Sequence, residues 1–359
     1  MERYVLIFLC VCLTFSAVAQ EGDRQCEEFC ATAEHFEKLS KLFRQSAELA
    51  APAVVNIQVT QNRPVGGRGT RSPKMPAEES GSGMIATIAQ KQVILTNRHV
   101  IEEADRDAVQ ILTHDRRILV PTKIVSNEDF DIAVIEVAEK LPPSAQFGDS
   151  NQVMVGDIVL AVGNPFGLDR SVSMGIISAV GRRNVPGTGG LVPRVGFFQT
   201  DAAINPGSSG GVLLTLRGEV IGIVTAIATQ GGRNEGVAFV MPINDVLRVA
   251  EQLVRTGTAV KPYMGFAPEM VSFEDRRKLA MDRFIGAKIK NIAPDTPAER
   301  AGLKVGDVVL AFNGTEVEDD LHVLHLVALS EIDKPVVLRI NRNGEILTIT
   351  VTPIAQLSR

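Results

Sequence analysis

From residue 53 to residue 242 the chain is punctuated by short apolar runs, and helical periodicity is almost absent. Ala53–Val59 alternates apolar and polar positions and is rich in β-branched residues. Similar runs recur at Gln92–Thr96, Val109–Leu112, Ile132–Val137, Ile158–Val162, Gly196–Thr200, Val212–Leu216, Val220–Thr225 and Val237–Met241. Many short strands with turn residues between them predict a barrel or a sandwich. Residues 61–83, a polar tract of Gly, Pro, Arg and Ser, read as a long mobile loop. Apolar positions then repeat at helical spacing over Ile243–Arg255, with Asn244-Asp245 as a good N-cap pair. Thr256-Gly257-Thr258 and Pro262 break the chain, as a linker would. Beyond them, strands surround a helix near Leu321–Leu329. Asn343-Gly344 joins Val336–Asn341 to Ile346–Thr352 as a hairpin. The pattern predicts a β-rich domain over 51–256 and a smaller α/β domain over 262–355.

The N-terminus reads differently. Arg3 precedes an apolar run from Tyr4 to Phe15, and Ser16-Ala17-Val18-Ala19 supplies small residues. This is the anatomy of a secretory signal over 1–19, cleaved after Ala19. The run is shorter than the roughly 20 residues of a spanning helix, and no later segment is long and apolar enough to cross a bilayer. The expectation is a soluble, exported protein with no membrane span once the signal is removed. Residues 20–50 contain an amphipathic helix, Glu27–Leu49, with Phe36, Leu39, Leu42, Phe43 and Leu49 on a stripe. That stripe suits contact with other copies or packing on the chain's own barrel. Cys26 and Cys30 lie four apart at its start. A bridge across one helical turn would be strained, so free thiols and an intermolecular bridge both stay open. His35 is the only further ligand nearby, and no metal site is expected.

Composition narrows the function. Lys+Arg 37 against Asp+Glu 42 gives a net charge of −5. The chain therefore lacks the cationic field of a nucleic-acid binder. Tyr occurs twice and Trp not at all, so base-stacking platforms are scarce.

The chemistry concentrates in Thr200-Asp201-Ala202-Ala203-Ile204-Asn205-Pro206-Gly207-Ser208-Ser209-Gly210-Gly211. A serine among glycines suits a nucleophile on a tight turn whose backbone N–H groups converge on one point. The stretch also fits a G-x-S-x-G nucleophile elbow, but that motif wants its acid and histidine downstream. The only downstream histidines, His322 and His325, fall on the far-domain helix and read as ordinary helix residues. Upstream lie His99, just after a strand, and Asp129-Phe130-Asp131 entering a buried strand. His99…Asp131…Ser209 is the chymotrypsin-like order. Asp131 is preferred to Asp129 because it abuts the apolar run. Ser209 then attacks a carbonyl, His99 carries the proton, and Asp131 orients the imidazole. The backbone N–H groups of Gly207, Ser208 and Ser209 form the oxyanion hole.

Thr96–Val100, Asp131–Ile135, Gly163-Asn164-Pro165-Phe166-Gly167, Thr200–Gly211 and Gly236–Pro242 together resemble the HtrA (Deg) family of ATP-independent serine proteases. The likeness runs in order from about residue 45 to the C-terminus. It departs at Ser208 and Arg98, where asparagine is usual in the family. The resemblance implies a chymotrypsin-like double β-barrel, no cofactor, and a homotrimer packed through N-terminal segments. Where a trypsin-like S1 pocket carries an acid, this chain has Ala203 and Ile204, which favours small aliphatic P1 residues such as Val, Ala or Ile. Such residues are buried in folded proteins, so unfolded chains become the expected substrates. Gly163–Asp169 and the 186–194 loop are the expected mobile elements.

Tyr263-Met264-Gly265-Phe266 resembles the carboxylate-binding loop of PDZ domains, and Pro297–Gly314 resembles their core block. The resemblance implies that peptide C-termini add to a sheet edge there and regulate the protease. Export and this domain order imply a periplasmic location. Two rivals remain at this point: a peptide-binding chaperone or adaptor with a silent protease fold, and a signalling protease for one membrane partner.

Overall fold

Val54, Val55, Ile57 and Val59 are buried on the first strand, β1 (Val54–Pro64), which pairs antiparallel with β2 (Lys74–Ile88). In the computed structural model the described residues are 32–64, 74–102, 104–164, 171–183, 185, 195–227 and 236–356. The signal segment 1–19, Cys26, Cys30, residues 165–169 and the 186–194 loop lie outside them.

The β1–β2 register runs from Val54↔Met84 out to Pro64↔Lys74. Residues 61–64 and 74–83 are therefore strand, not the loop expected from their composition. Cross-strand backbone bonds do not depend on side-chain polarity, so a hairpin arm can extend beyond the point where its apolar face ends. With β3 (Lys91–Asn97), β4 (Val109–Leu112), β5 (Ile118–Leu119), β6 (Pro121–Asn127) and β7 (Ile132–Val137), the order is β5-β4-β1-β2-β3-β7-β6. The two ends of that order, β5 and β6, are separated in the chain by Val120 alone. The sheet must therefore curl back on itself.

The second sheet closes completely. β8 (Ile158–Gly163), β9 (Ser171–Arg182), β10 (Phe197–Thr200), β11 (Val212–Leu214), β12 (Val220–Ile227) and β13 (Ala238–Pro242) form a barrel in the order β10-β13-β12-β11-β8-β9. Its interior is filled by Val159, Ile177, Phe198, Ile204, Leu213 and Val240, among others. The architecture is the double-barrel type that the sequence implied.

A helix over 32–50, α1, precedes β1. Its Phe43 packs on a core cluster that draws residues from both sheets, while Phe36, Leu39, Leu42 and Leu49 stay exposed. A short turn, α2 (Arg98–Ile101), follows β3, and α3 (Ile243–Thr256) follows β13. The expected N-cap of α3 is corrected: Pro242 holds that position, and Asn244 instead donates to Asp149 Oδ1 at 2.7 Å. Val246, Val249, Ala250 and Leu253 of α3 lie in one cluster with residues of β1, β2, β3 and β7. The last helix of this region thus covers the first sheet.

The remaining chain has its own core of Met264, Ile289, Val309, Phe312, Val323, Leu338 and Ile340. β14 (Pro262–Tyr263) pairs with β21 (Ile354–Ala355). The larger sheet runs β15 (Phe266–Met270), β16 (Ala287–Ile292), β17 (Val308–Phe312), β19 (Val336–Arg342), β20 (Glu345–Val351), with β18 (Thr315–Glu316) beside β17. Asn343 and Gly344, at φ +54° and +92°, make the expected hairpin turn between β19 and β20. Helices α4 (Phe273–Lys278), α5 (Pro297–Arg300) and α6 (Asp320–Ala328) complete it.

Candidate active site

His99 and Asp131 meet because β3 and β7 are neighbours in register, with Asn97 opposite Ile132. Each residue lies just past the paired ends. Asp131 Oδ2 is 2.6 Å from His99 Nδ1, and Asp131 Oδ1 accepts the His99 backbone N–H at 2.9 Å. The Asp131 carbonyl accepts from the Arg98 amide at 3.0 Å and from Asn97 Nδ2 at 3.2 Å. Four contacts from three consecutive residues hold this acid in the left-handed region, φ +51°. Its side chain is almost wholly enclosed, while the imidazole is 38% exposed toward the cleft. Asp129 points elsewhere and pairs with Lys261 at 3.3 Å. Arg98, a departure from the family pattern, lies along α2 and bonds Glu102 at 2.8 Å.

Ser209 sits on the loop between β10 and β11. The pairing of β2 with β3 ends at Met84↔Leu95, and beyond it the Ser209 loop takes the place of β3 along β2. There the Ser82 amide donates to Ser209 O at 2.8 Å, and Thr96 Oγ1 donates to Ser82 O at 2.7 Å. The approach leaves room only for glycine at 210: a Cβ there would lie 1.9 Å from Ser82 O, at φ +81°. Among the described residues, the Gly207 and Ser209 amides donate to no protein acceptor. The Ser208 amide, also expected in an oxyanion hole, is not free: it closes a turn onto Asn205 O at 2.9 Å.

The imidazole–carboxylate half is assembled, whereas the hydroxyl half is not. Ser209 Oγ donates to Thr225 O at 3.4 Å, a long contact, and no hydrogen bond joins it to His99 among the described residues. Asn97 ties the halves together, since its Nδ2 reaches both Asp131 O and Thr225 Oγ1 at 3.3 Å. The two residues expected in the specificity pocket separate. Ala203, with Asn205, Val162, Val172 and Val224, lines a cavity of about 340 Å³, whereas Ile204 is buried in the barrel core.

Known families carry this arrangement. A trypsin-like peptidase domain matches residues 81–223, and a PDZ domain matches 262–352. A probable periplasmic serine endoprotease, DegP-like, from Marinomonas sp. (strain MWYL1) is 34% identical over 337 residues, covering 86% of this chain and 70% of that relative. The chain belongs to the HtrA-type, DegP-like family of serine endoproteases. A DegP-like relative from Halomonas elongata is 38% identical over 343 residues, covering 86% of this chain and 70% of its own length. Among solved structures, the HtrA-type protease AlgW with a tripeptide is similar at a TM-score of 0.71 and 30% identity, covering 88% of this chain and 98% of that one. The serine endoprotease from Yersinia pestis is similar at a TM-score of 0.58 and 30% identity, over 88% and 98%.

The PDZ domain of this HtrA-type protease presents Tyr263, Met264, Gly265 and Phe266 at the start of β15, the edge of its sheet. Gly265 is at φ +91°, with Thr296 where a Cβ would stand. Met264 O and Gly265 O accept from Ala298 and Ala293, each at 2.8 Å, which braces the loop. The Met264 and Gly265 amides have no protein acceptor among the described residues. An open strand edge beside free amides is the geometry that receives a peptide and its terminal carboxylate.

His322 and His325 are not the ordinary helix residues expected, because α6 faces the protease region. His325 Nε2 lies 3.6 Å from Asp245 Oδ2 of α3, and Arg248 Nη1 donates to Leu329 O at 2.5 Å. Arg183, after β9, bonds Glu318 at 3.0 Å and lies 3.7 Å from Asp319. Burial pushes the Asp245 carboxyl up, against the pull of His325 and Arg248. Burial also pulls His322 down to about 4, helped by Arg183 and His325 and opposed by Glu318 and Asp319. The geometry agrees, since His322 Nδ1 accepts the Glu318 amide at 3.2 Å.

A folded-state value below the unfolded one means the neutral ring contributes stability above about pH 6.5, and that this is lost toward pH 4. His322→Gln should therefore flatten the fall of the unfolding free energy between pH 7 and pH 4.5, by on the order of 1 kcal/mol after solvent screening. Asp245 has the opposite acid-side dependence and is common to both proteins. Calorimetry across that range checks this; parallel curves would contradict it.

The outward apolar face of β9 escaped the sequence reading. Val172, Met174, Ile176 and Val180 are exposed there, beside Ile158, Met154 and Val155. The alternation was present, but Gly and Ser between the apolar residues hid it among turn signals.

Proposed function

We propose that this chain is an ATP-independent endopeptidase that cleaves unfolded proteins through a Ser209–His99–Asp131 triad, under the control of peptide C-termini bound to its PDZ domain. The observation that carries the reading is the closed His99–Asp131 pair beside a serine loop with two free amides. Ser209 Oγ attacks the scissile carbonyl and passes its proton to His99 Nε2. The Gly207 and Ser209 amides hold the oxyanion. Collapse of the tetrahedral intermediate breaks the C–N bond, and His99 returns the proton to the leaving amine. Water, deprotonated by His99, then releases the acyl group and regenerates Ser209. From the resting geometry, the hydroxyl must swing from Thr225 O to the imidazole. Bonds of this kind commonly tighten only when substrate is bound.

The apolar Ala203 cavity supports small aliphatic P1 residues. The AlgW complexes with a tripeptide and a decapeptide support peptide binding as the regulatory input. The domains are proposed as 51–256 and 262–355. The uncovered α1 stripe, Phe36, Leu39, Leu42 and Leu49, supports association into a homotrimer, and the outward face of β9 adds to it. The names of the relatives support export to the periplasm, and the small residues Ser16-Ala17-Val18-Ala19 after the apolar run support cleavage after Ala19.

A fluorophosphonate probe tests the nucleophile and a peptide panel the pocket. The label should map to Ser209 and not to the buried Ser208, and substrates with Val, Ala or Ile at P1 should exceed those with Lys or Arg. A label on Ser208 or a basic P1 preference would overturn the respective assignment. The unmade Ser209–His99 bond favours a second reading, a peptide-binding chaperone with a silent site. Absence of labelling with and without PDZ-binding peptides would support it.

A further inference from the structure

Ser82 lies in the other half of the protease region from the nucleophile, 127 residues earlier in the chain, and has no exposed surface. Its hydroxyl donates to Gly207 O at 2.8 Å and accepts the Asn164 amide at 2.8 Å. Its amide donates to Ser209 O, and its carbonyl accepts from Thr96 Oγ1. Every polar atom of this one residue is committed, and two of its partners flank Ser208 in the nucleophile loop.

We propose that Ser82 is the positioning residue of the oxyanion loop: its hydroxyl fixes the Gly207–Ser208 peptide plane and couples it to Asn164 at the end of β8. The physical argument concerns the two free amides. Gly207 has no side chain and sits at φ +94°, so little in the loop itself fixes its peptide planes. The Ser208–Asn205 turn constrains one side of the Gly207–Ser208 plane, and the Ser82 hydroxyl holds the carbonyl on the other side. With both in place, the Gly207 and Ser209 amides keep one orientation, which electrostatic stabilisation of an oxyanion requires in advance of reaction. The same hydroxyl is the acceptor for Asn164, so a shift of the chain leaving β8 pulls on a bond partner of the nucleophile loop. Substrate never touches Ser82. It acts only through Gly207 and Ser209.

The inference rests on the proposed role of Ser209, and the test separates the two. Ser82→Ala removes the donor and leaves a small void, while Ser82→Cys fills the volume with a weak donor. If the hydrogen bond is what matters, both variants should lose about 10- to 100-fold in kcat on a P1-valine peptide. Their KM should change less than twofold, and fluorophosphonate labelling should slow in proportion. Wild-type kcat in either variant would overturn the proposal, since Cys alone retaining activity would reduce the role of Ser82 to filling space. A loss confined to KM would overturn it too. If Ser82→Ala fails to fold, the Cys variant decides. Failure of the parent reading shows itself differently, as activity that survives Ser209→Ala.

Discussion

Ser209→Ala should abolish casein degradation by the purified protein, lowering kcat/KM by about 10⁴-fold or more. The size follows from what the change leaves behind. The free Gly207 and Ser209 amides and the Ala203 cavity persist, so binding and oxyanion stabilisation survive, but no acyl-enzyme forms. The only other hydroxyl on the loop, Ser208, is buried, and its Oγ faces the Asn205 amide at 3.4 Å. It offers no substitute nucleophile. Thermal melting should be nearly unchanged, because Ser209 Oγ contributes only the long contact to Thr225 O. Turnover persisting in the variant at a tenth of wild type would refute the assignment.

Asp131→Asn should be nearly as damaging, at about 10⁴-fold in kcat, and for a geometric reason. Both carboxylate oxygens accept: Oδ1 from the His99 amide, and Oδ2 from the imidazole Nδ1–H. A side-chain amide has one acceptor and one donor group. If its oxygen keeps the His99 backbone bond, its NH2 faces Nδ1 and forces the ring into the tautomer with the proton on Nε2. That nitrogen then cannot take the proton of Ser209. The backbone contacts to Arg98 and Asn97 use the carbonyl of residue 131 and persist, so the protein should still fold. The rate should recover partly at high pH, where the need for a general base relaxes. A wild-type rate at pH 7 in the Asp131→Asn variant would mean that the pair is structural.

The candidate site is legible in the sequence where order along the chain carries the information. His99, Asp131 and Ser209 were separable from Asp129, His322 and His325 by strand context and by the sequence of types. The structure gives each rejected residue a different partner: Lys261 for Asp129, Asp245 for His325, and the Glu318 amide for His322. What was not legible depends on contacts between distant segments. Nothing around Ser82 announces that its hydroxyl reaches Gly207, and the stretch 61–83 looked like a loop because composition is blind to a partner strand. The Ser208 amide was assigned to the oxyanion hole by adjacency, and the Asn205 turn took it. The burial of α6 against the protease region required two domains to meet, which periodicity within either one does not report.

Helix α3 imposes an order on events as the chain is made. The apolar sheet that carries His99 and Asp131 is finished by residue 137, yet its lid, Val246 to Leu253, is synthesised more than a hundred residues later. A polypeptide leaving the ribosome N-terminus first therefore cannot seal that half until the serine loop has already emerged.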